Sequence, residues 1–123
     1  MTRLKITMAA TLIALAAMAG AGEKKVSSTQ EGQQTLEGEI VDTHCYTSRG
    51  ARGEEHAGCG NACISRDVPA GLLTADGTLY LLLNEKSSSV KEKVAGKVGK
   101  VVVAHGKIVE RNGLKTFQVA SIE

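Results

Sequence analysis

Two short turn sequences, Asp76-Gly77 and Asn112-Gly113, constrain the fold of this chain more than any other feature. Each stands between runs of apolar and β-branched residues, and Asp-Gly or Asn-Gly in that setting is a strong signal for a β-hairpin. The flanking runs are residues 72–74, 78–83, 100–110 and 115–122. The second half of the chain is therefore predicted to form two hairpins.

A fifth strand is predicted over residues 36–42, which mix apolar and polar side chains as a half-buried strand does and which end just before Cys45. Gly106 lies inside a valine-rich run and indicates a bulge or a sharp bend, which lets one strand serve both sides of a small barrel. Ser89 and Glu92 have the spacing of a capping box for a short helix that plugs one end of the sheet. The predicted fold class is all-β, a five-stranded OB-like barrel with one or two short helices.

The chemistry of the chain is concentrated in a short stretch that contains Cys45, His56, Cys59 and Cys63. A helix is predicted over residues 56–66, where positions 56, 59 and 63 fall within about 60° of one another on the helix surface. Three thiolates and one imidazole are a tetrahedral donor set suited to zinc, with copper as the alternative soft-metal ion. We therefore predict a metal site with these four side chains as ligands.

The same cysteines fit two other chemistries. In an oxidising compartment, a disulfide between Cys45 and either Cys59 or Cys63 would leave one spare thiol. The barrel would then be an interaction module for a ligand or for an envelope partner protein, with the disulfide as a staple. A thiol redox protein is the further alternative.

The residues around this stretch have two interpretations each. Residues 47–55 contain two glycines among polar side chains and are predicted to form a loop. His44 is either an extra ligand or a solvent-facing residue of that region. Glu54 and Glu55 are either a solvated acidic pair at a helix start or acceptors for the imidazole of the site. His105, far along the chain, is interpreted as part of the barrel wall.

Catalysis and nucleic-acid binding receive little support from the sequence. The chain has no phosphate-cradling glycine motif, no serine elbow and no carboxylate pair placed for acid and base chemistry. A cysteine nucleophile with His56 as base is the one enzymatic alternative, and we expect binding rather than turnover. One Phe, two Tyr, no Trp and a net formal charge of only +2 argue against nucleic acid as a partner.

The N-terminal residues have the pattern of an export signal. A short positive segment precedes an apolar run over residues 6–19, which small residues close before Gly22. The run is shorter than the roughly 20 residues that span a bilayer, so we expect cleavage after Ala19 or Ala21 rather than stable membrane insertion. The predicted organisation is a signal peptide over 1–21, a flexible tether over 22–34 and the barrel domain over 35–123. The predicted location is periplasmic or secreted.

A family resemblance rests on Asp42-Thr43-His44-Cys45-Tyr46, on His56, Cys59 and Cys63, and on residues 69–73 and 76–80. Together they resemble a group of small exported bacterial proteins, mostly uncharacterised, that carry a Cys, His-x-x-Cys, x-x-x-Cys pattern on an OB-like barrel. The resemblance covers the chain from about Leu36 to Ile122. It implies one site for the three cysteines and His56, for a metal, and it implies no particular reaction.

Overall fold

The computed structural model describes residues 32–123, which form a closed barrel of five strands. The strands are β1 (Gln34–Asp42), β2 (Ala70–Leu73), β3 (Leu79–Asn84), β4 (Val101–Arg111) and β5 (Leu114–Ile122). Their order around the barrel is β1-β2-β3-β5-β4, and β4 closes onto β1. The predicted five-stranded all-β barrel is confirmed. The predicted signal peptide and the predicted tether up to residue 31 lie outside the described residues.

In the described residues the barrel strands are joined by segments that contain three short α-helices: α1 (Thr43–Arg49), α2 (Ala57–Ser65) and α3 (Lys91–Val94). A 3-10 turn over Glu54–His56 leads directly into α2. The first two helices form an insertion between β1 and β2, and α3 lies between β3 and β4. No helix within residues 32–123 is long and apolar enough to cross a membrane.

β1 bends so that it pairs with two neighbours in succession. Its first half, up to Glu39, is antiparallel to β4, and from Glu39 to Asp42 it is antiparallel to β2. Gly38 lies at this bend, where an added Cβ would stand 2.7 Å from the carbonyl oxygen of Leu73. Only glycine allows so close an approach of two strands, and the bend delivers the end of β1 to the rim of the barrel.

Both predicted hairpins form. Asn112 and Gly113 have φ values of 51° and 84°, the pair of positive angles that a two-residue hairpin turn requires. In the other turn, Gly77 has a φ of 85°, and the carboxylate of Asp76 accepts hydrogen bonds from the Thr74 hydroxyl and the Thr78 N–H. The turn chemistry of the sequence therefore sets the register of both hairpins.

The bulge predicted in β4 is also present. The register between β4 and β5 shifts between His105 and Gly106, and an added Cβ at Gly106 would clash with the carbonyl oxygen of Gln118. The barrel interior is apolar, and Phe117, with no exposed surface, is its largest fully buried side chain. The region after β3 contributes Val94 and Val98 to this core.

Two local predictions were wrong in detail. Residues 47–49 are not loop but the last turn of α1, because Asp42 caps the helix start and Gly50 ends it in the left-handed conformation, with a φ of 69°. The capping box does not form either: the Ser89 hydroxyl accepts the N–H of Lys91, two residues on, and α3 is a single turn that starts later. The helix predicted over 56–66 is present as α2, with His56 in the 3-10 turn before it.

Candidate metal centre

The three cysteines approach one another from two different helices. Cys45 lies on α1, and Cys59 and Cys63 lie one turn apart on α2. Their sulfur atoms all lie within 4.8 Å of one another. All three are free thiols, with Cys45 and Cys63 buried and Cys59 exposed. The structure therefore brings together soft donors that the sequence separates by up to eighteen positions.

The buried carboxylate of Asp42 fixes the helix that carries Cys45. Asp42 is the last residue of β1, has no exposed surface, and accepts the backbone N–H of Cys45 through Oδ1 at 2.8 Å. This contact is an N-cap, since it satisfies a helix N–H that has no partner within the helix. Because β1 is part of the barrel wall, the cap places Cys45 at a fixed point on the barrel rim.

The other oxygen of the same carboxylate holds His56. The Asp42 Oδ2 atom lies 2.7 Å from Nε2 of His56, whose side chain is only 11% exposed. The 3-10 turn that carries His56 runs straight into α2, so this contact also anchors the start of the helix with the other two cysteines. One carboxylate thus ties both cysteine-bearing helices to the end of β1.

Close packing at Gly60 sets the position of α2. Gly60 is buried, and an added Cβ there would clash with a methyl group of Val98 and stand 3.3 Å from Asp42 Oδ2. The absence of a side chain lets the helix backbone lie directly on the barrel end. Cys63 and Ile64 are consequently buried beneath α2, whereas Cys59 on the preceding turn faces solvent.

The four predicted ligands fall into two overlapping sets. One set is the three sulfur atoms, and the other consists of Asp42, Cys45 and His56, whose ligand atoms also lie within 4.8 Å of one another. Cys45 belongs to both. Each set lies close enough together to bind a metal ion, with the three cysteines in one set and His56 in the other. Asp42 is an additional oxygen donor that the sequence interpretation missed. Its signal was available, because an Asp that follows a strand and stands three residues before Cys45 has the position of an N-cap.

Two arginines lie against the buried sulfurs. The Nη2 atom of Arg49 is 3.4 Å from the Cys45 sulfur, and the Nη2 atom of Arg66 is 3.8 Å from the Cys63 sulfur. A guanidinium beside a sulfur favours the thiolate, which is the form that binds metal. Neither arginine was singled out from the sequence, although each follows its cysteine by three or four positions, the spacing of neighbours on a helix face.

The protonation of the two central groups follows from their surroundings. Burial raises the pKa of the Cys45 thiol, and the hydrogen bond and negative charge of Asp42 raise it further, while Arg49 opposes this. Burial also acts to raise the pKa of Asp42, but hydrogen bonds from the Cys45 N–H and from His56 outweigh it and hold that pKa below its ordinary value. Asp42 is therefore a carboxylate at neutral pH, next to a thiol that keeps its proton until a metal displaces it.

The remaining candidates from the sequence lie outside these sets. His44, Glu54 and Glu55 are exposed, and the imidazole of His56 is held by Asp42 instead of by either glutamate. His105 lies on β4, where Nδ1 is 3.0 Å from the Thr35 hydroxyl and Nε2 is 3.5 Å from a carboxylate oxygen of Glu123. His105 is thus a residue of the barrel wall, as predicted.

Comparison of the chain with protein-family models, with curated proteins and with solved structures finds no match.

Proposed function

We propose that this protein is an exported metal-binding module whose thiolate site takes zinc or copper and serves to handle the metal or to stabilise the fold. The observation that supports this best is the convergence of three sulfur atoms within 4.8 Å from two separate helices. Thiolates select soft or borderline ions, so calcium and magnesium, which take oxygen ligands, do not fit this donor set. Export is supported by the N-terminal pattern of residues 1–21 alone.

The two ions use the donors differently. Zinc in a closed site takes four ligands in a tetrahedron, so Cys45, Cys59 and Cys63 would need His56 as the fourth. The Asp42 carboxylate would then orient the imidazole, as an acceptor for the nitrogen that does not bind the metal. Monovalent copper is softer and is matched by the three sulfurs alone.

Metal content measures this function directly. Protein purified under reducing, anaerobic conditions should hold about one equivalent of zinc or copper, because the three thiols supply a single site. Cys59→Ser should lower the metal content and, with saturating metal present, the melting temperature. At a free metal concentration of 100 times Kd, binding adds about 2.7 kcal/mol to the free energy of unfolding. Unchanged metal content in Cys59→Ser would contradict the proposal.

A second candidate is an interaction module in which the cysteines only staple the two helices. It is favoured by an apolar groove of about 300 Å³ next to α1, lined in part by Thr43, Leu79, Leu81 and Leu114. Leu114 is 56% exposed and gives the groove an accessible apolar edge. Mass spectrometry without reductant separates the two functions: a metal-free mass lower by two hydrogen atoms indicates the staple, and a reduced, metal-loaded mass indicates the metal site.

A further inference from the structure

The sulfur atoms form a set of their own, and the imidazole belongs to another. Cys45, Cys59 and Cys63 already lie at mutual distances of at most 4.8 Å, whereas His56 is grouped with Asp42 and Cys45. The His56 Nε2 atom is engaged by a carboxylate with no exposed surface. Bringing His56 to the other two sulfurs would require movement of this buried pair, whereas a three-sulfur site needs only a small contraction of groups already in place.

The charges around the sulfurs follow the same division. The negative charge of the Asp42 carboxylate is stabilised by hydrogen bonds from the Cys45 N–H and from His56. The negative charge of the sulfur atoms is stabilised instead by the guanidinium groups of Arg49 and Arg66, which contact two of the three sulfurs. Three thiolates around a monovalent ion carry two negative charges, and two guanidinium groups balance them at contact distance.

From these two observations we infer that the site is a three-coordinate centre for monovalent copper, with Cys45, Cys59 and Cys63 as its only ligands and His56 outside the coordination sphere. This inference rests on the proposed function and narrows it to one ion and one ligand set. On binding, each of the three thiols loses its proton to solvent as its sulfur bonds to the copper ion, which keeps its oxidation state.

Exposure of Cys59 gives the site a route for exchange. Cys45 and Cys63 are buried beneath the two helices, while Cys59 faces solvent and can release or capture the ion first. A thiolate from a donor or an acceptor can reach the copper on this side without opening the barrel. The site is therefore built to pass copper on as well as to hold it.

Copper K-edge X-ray absorption on the protein loaded anaerobically with one equivalent of Cu(I) tests the ligand set. The expected first shell is three sulfurs with no nitrogen. The same protein loaded with zinc alone and measured at the zinc K-edge serves as the comparison, because a tetrahedral ion must recruit a fourth ligand. A nitrogen in the Cu(I) shell would overturn the inference while leaving metal binding intact. Failure to retain either ion would instead overturn the proposed function.

Affinities from competition with a chromophoric Cu(I) chelator test the two sets of residues separately. His56→Gln should lower the zinc affinity by about tenfold or more, because zinc loses its fourth ligand, whereas the Cu(I) affinity should fall by no more than about threefold, because only the anchor at the start of α2 is lost. Cys63→Ser should lower the Cu(I) affinity by far more than His56→Gln does. Equal losses for His56→Gln and Cys63→Ser would contradict the assignment. Circular dichroism and a melting temperature on each variant identify losses that come from unfolding.

The arginines provide a charge test with a matched control. The double variant Arg49→Gln/Arg66→Gln should lower the affinity for Cu(I) by about tenfold, which corresponds to about 0.7 kcal/mol for each guanidinium–sulfur contact at these partly exposed positions. Zinc with three thiolates carries half the negative charge, so its affinity should fall by only about threefold. Arg111→Gln, on the β4–β5 hairpin, removes a charge without contacting sulfur and should change neither. Equal losses for the two ions would refute the charge argument.

Discussion

Replacement of Gly60 by alanine should destabilise the protein, whereas the same replacement at Gly58, two positions earlier on α2, should not. Both variants gain helix propensity, worth up to about 1 kcal/mol for alanine over glycine. At Gly58 the new methyl group meets no atom within 4 Å. At Gly60 it clashes with the side chain of Val98, which is only 1% exposed and belongs to the hydrophobic core.

The difference between the two variants isolates the packing of α2 on the barrel, because the propensity gain cancels. Overpacking of a filled interior costs about 1–3 kcal/mol, so Gly60→Ala should be less stable than Gly58→Ala by that amount. For a domain of this size, each kcal/mol corresponds to roughly 4–8 °C in melting temperature. Thermal and urea unfolding of the metal-free, reduced protein measure the difference.

Metal affinity should follow the same order. A shift of α2 moves Cys59 and Cys63 relative to Cys45, so Gly60→Ala should also bind metal more weakly, while Gly58→Ala should bind it as the parent protein does. Equal stability of the two variants would refute the close contact between α2 and the barrel end. Reduced stability of Gly60→Ala with unchanged metal affinity would show that the sulfur set does not depend on this contact.

Three further predictions follow from the bulge and from the protonation of the site. Gly106→Ala should lower the free energy of unfolding by about 1–3 kcal/mol in urea titrations, because its methyl group meets the backbone of Gln118. The lowered pKa of Asp42 makes the carboxylate stabilising above the ordinary aspartate pKa of 3.8, and this contribution is lost as the pH falls through the lower folded value. Asp42→Asn should therefore flatten the melting temperature profile below about pH 4. The raised pKa of Cys45 means that a proton competes with the metal, so metal affinity should increase with pH, with measurable proton release on binding.

Each of these has a clear contrary outcome. A Gly106→Ala variant as stable as the parent would remove the need for glycine at the bulge. An acid-unfolding profile that Asp42→Asn does not change would show that this carboxylate is not the acid-sensitive group. A metal affinity independent of pH would show that the thiols are already ionised before the metal binds.

The fold could be predicted from the sequence more completely than the site, because the residues that determine the fold act locally. Asp-Gly and Asn-Gly specify hairpin turns through the backbone angles of two residues, and Gly106 marks the bulge in the same way. These features fix the pairing of β2 with β3 and of β4 with β5. The parallel pairing of β3 with β5 joins the two hairpins and does not follow from the turns. The bend at Gly38 was not anticipated, because the atom that excludes a side chain there belongs to Leu73, in a strand far along the chain.

Only part of the site could be predicted from the sequence, because its organisation depends on contacts between distant segments. Cys59 and Cys63 share a helix face, and this follows from their spacing. The position of Cys45 relative to them depends on Asp42, which has one oxygen on α1 and the other on the turn before α2. Glu54 and Glu55 are nearer to His56 in sequence, yet the strand end delivers Asp42 to the imidazole and leaves the two glutamates in solvent.

The site depends on the barrel, whereas the barrel does not depend on the site. The end of β1 holds Asp42 in the barrel wall, Asp42 positions both helices, and the helices position the sulfurs, so the barrel must form before a metal can find three thiols together. The core that forms the barrel contains Phe117, Ile40 and Leu72 but neither Cys45 nor Cys59. Ile64 of α2 also belongs to that core, and Asp42 holds both helices through its two oxygens. We therefore expect a metal-free protein to keep the strand register and the positions of α1 and α2, with the three thiols already close together.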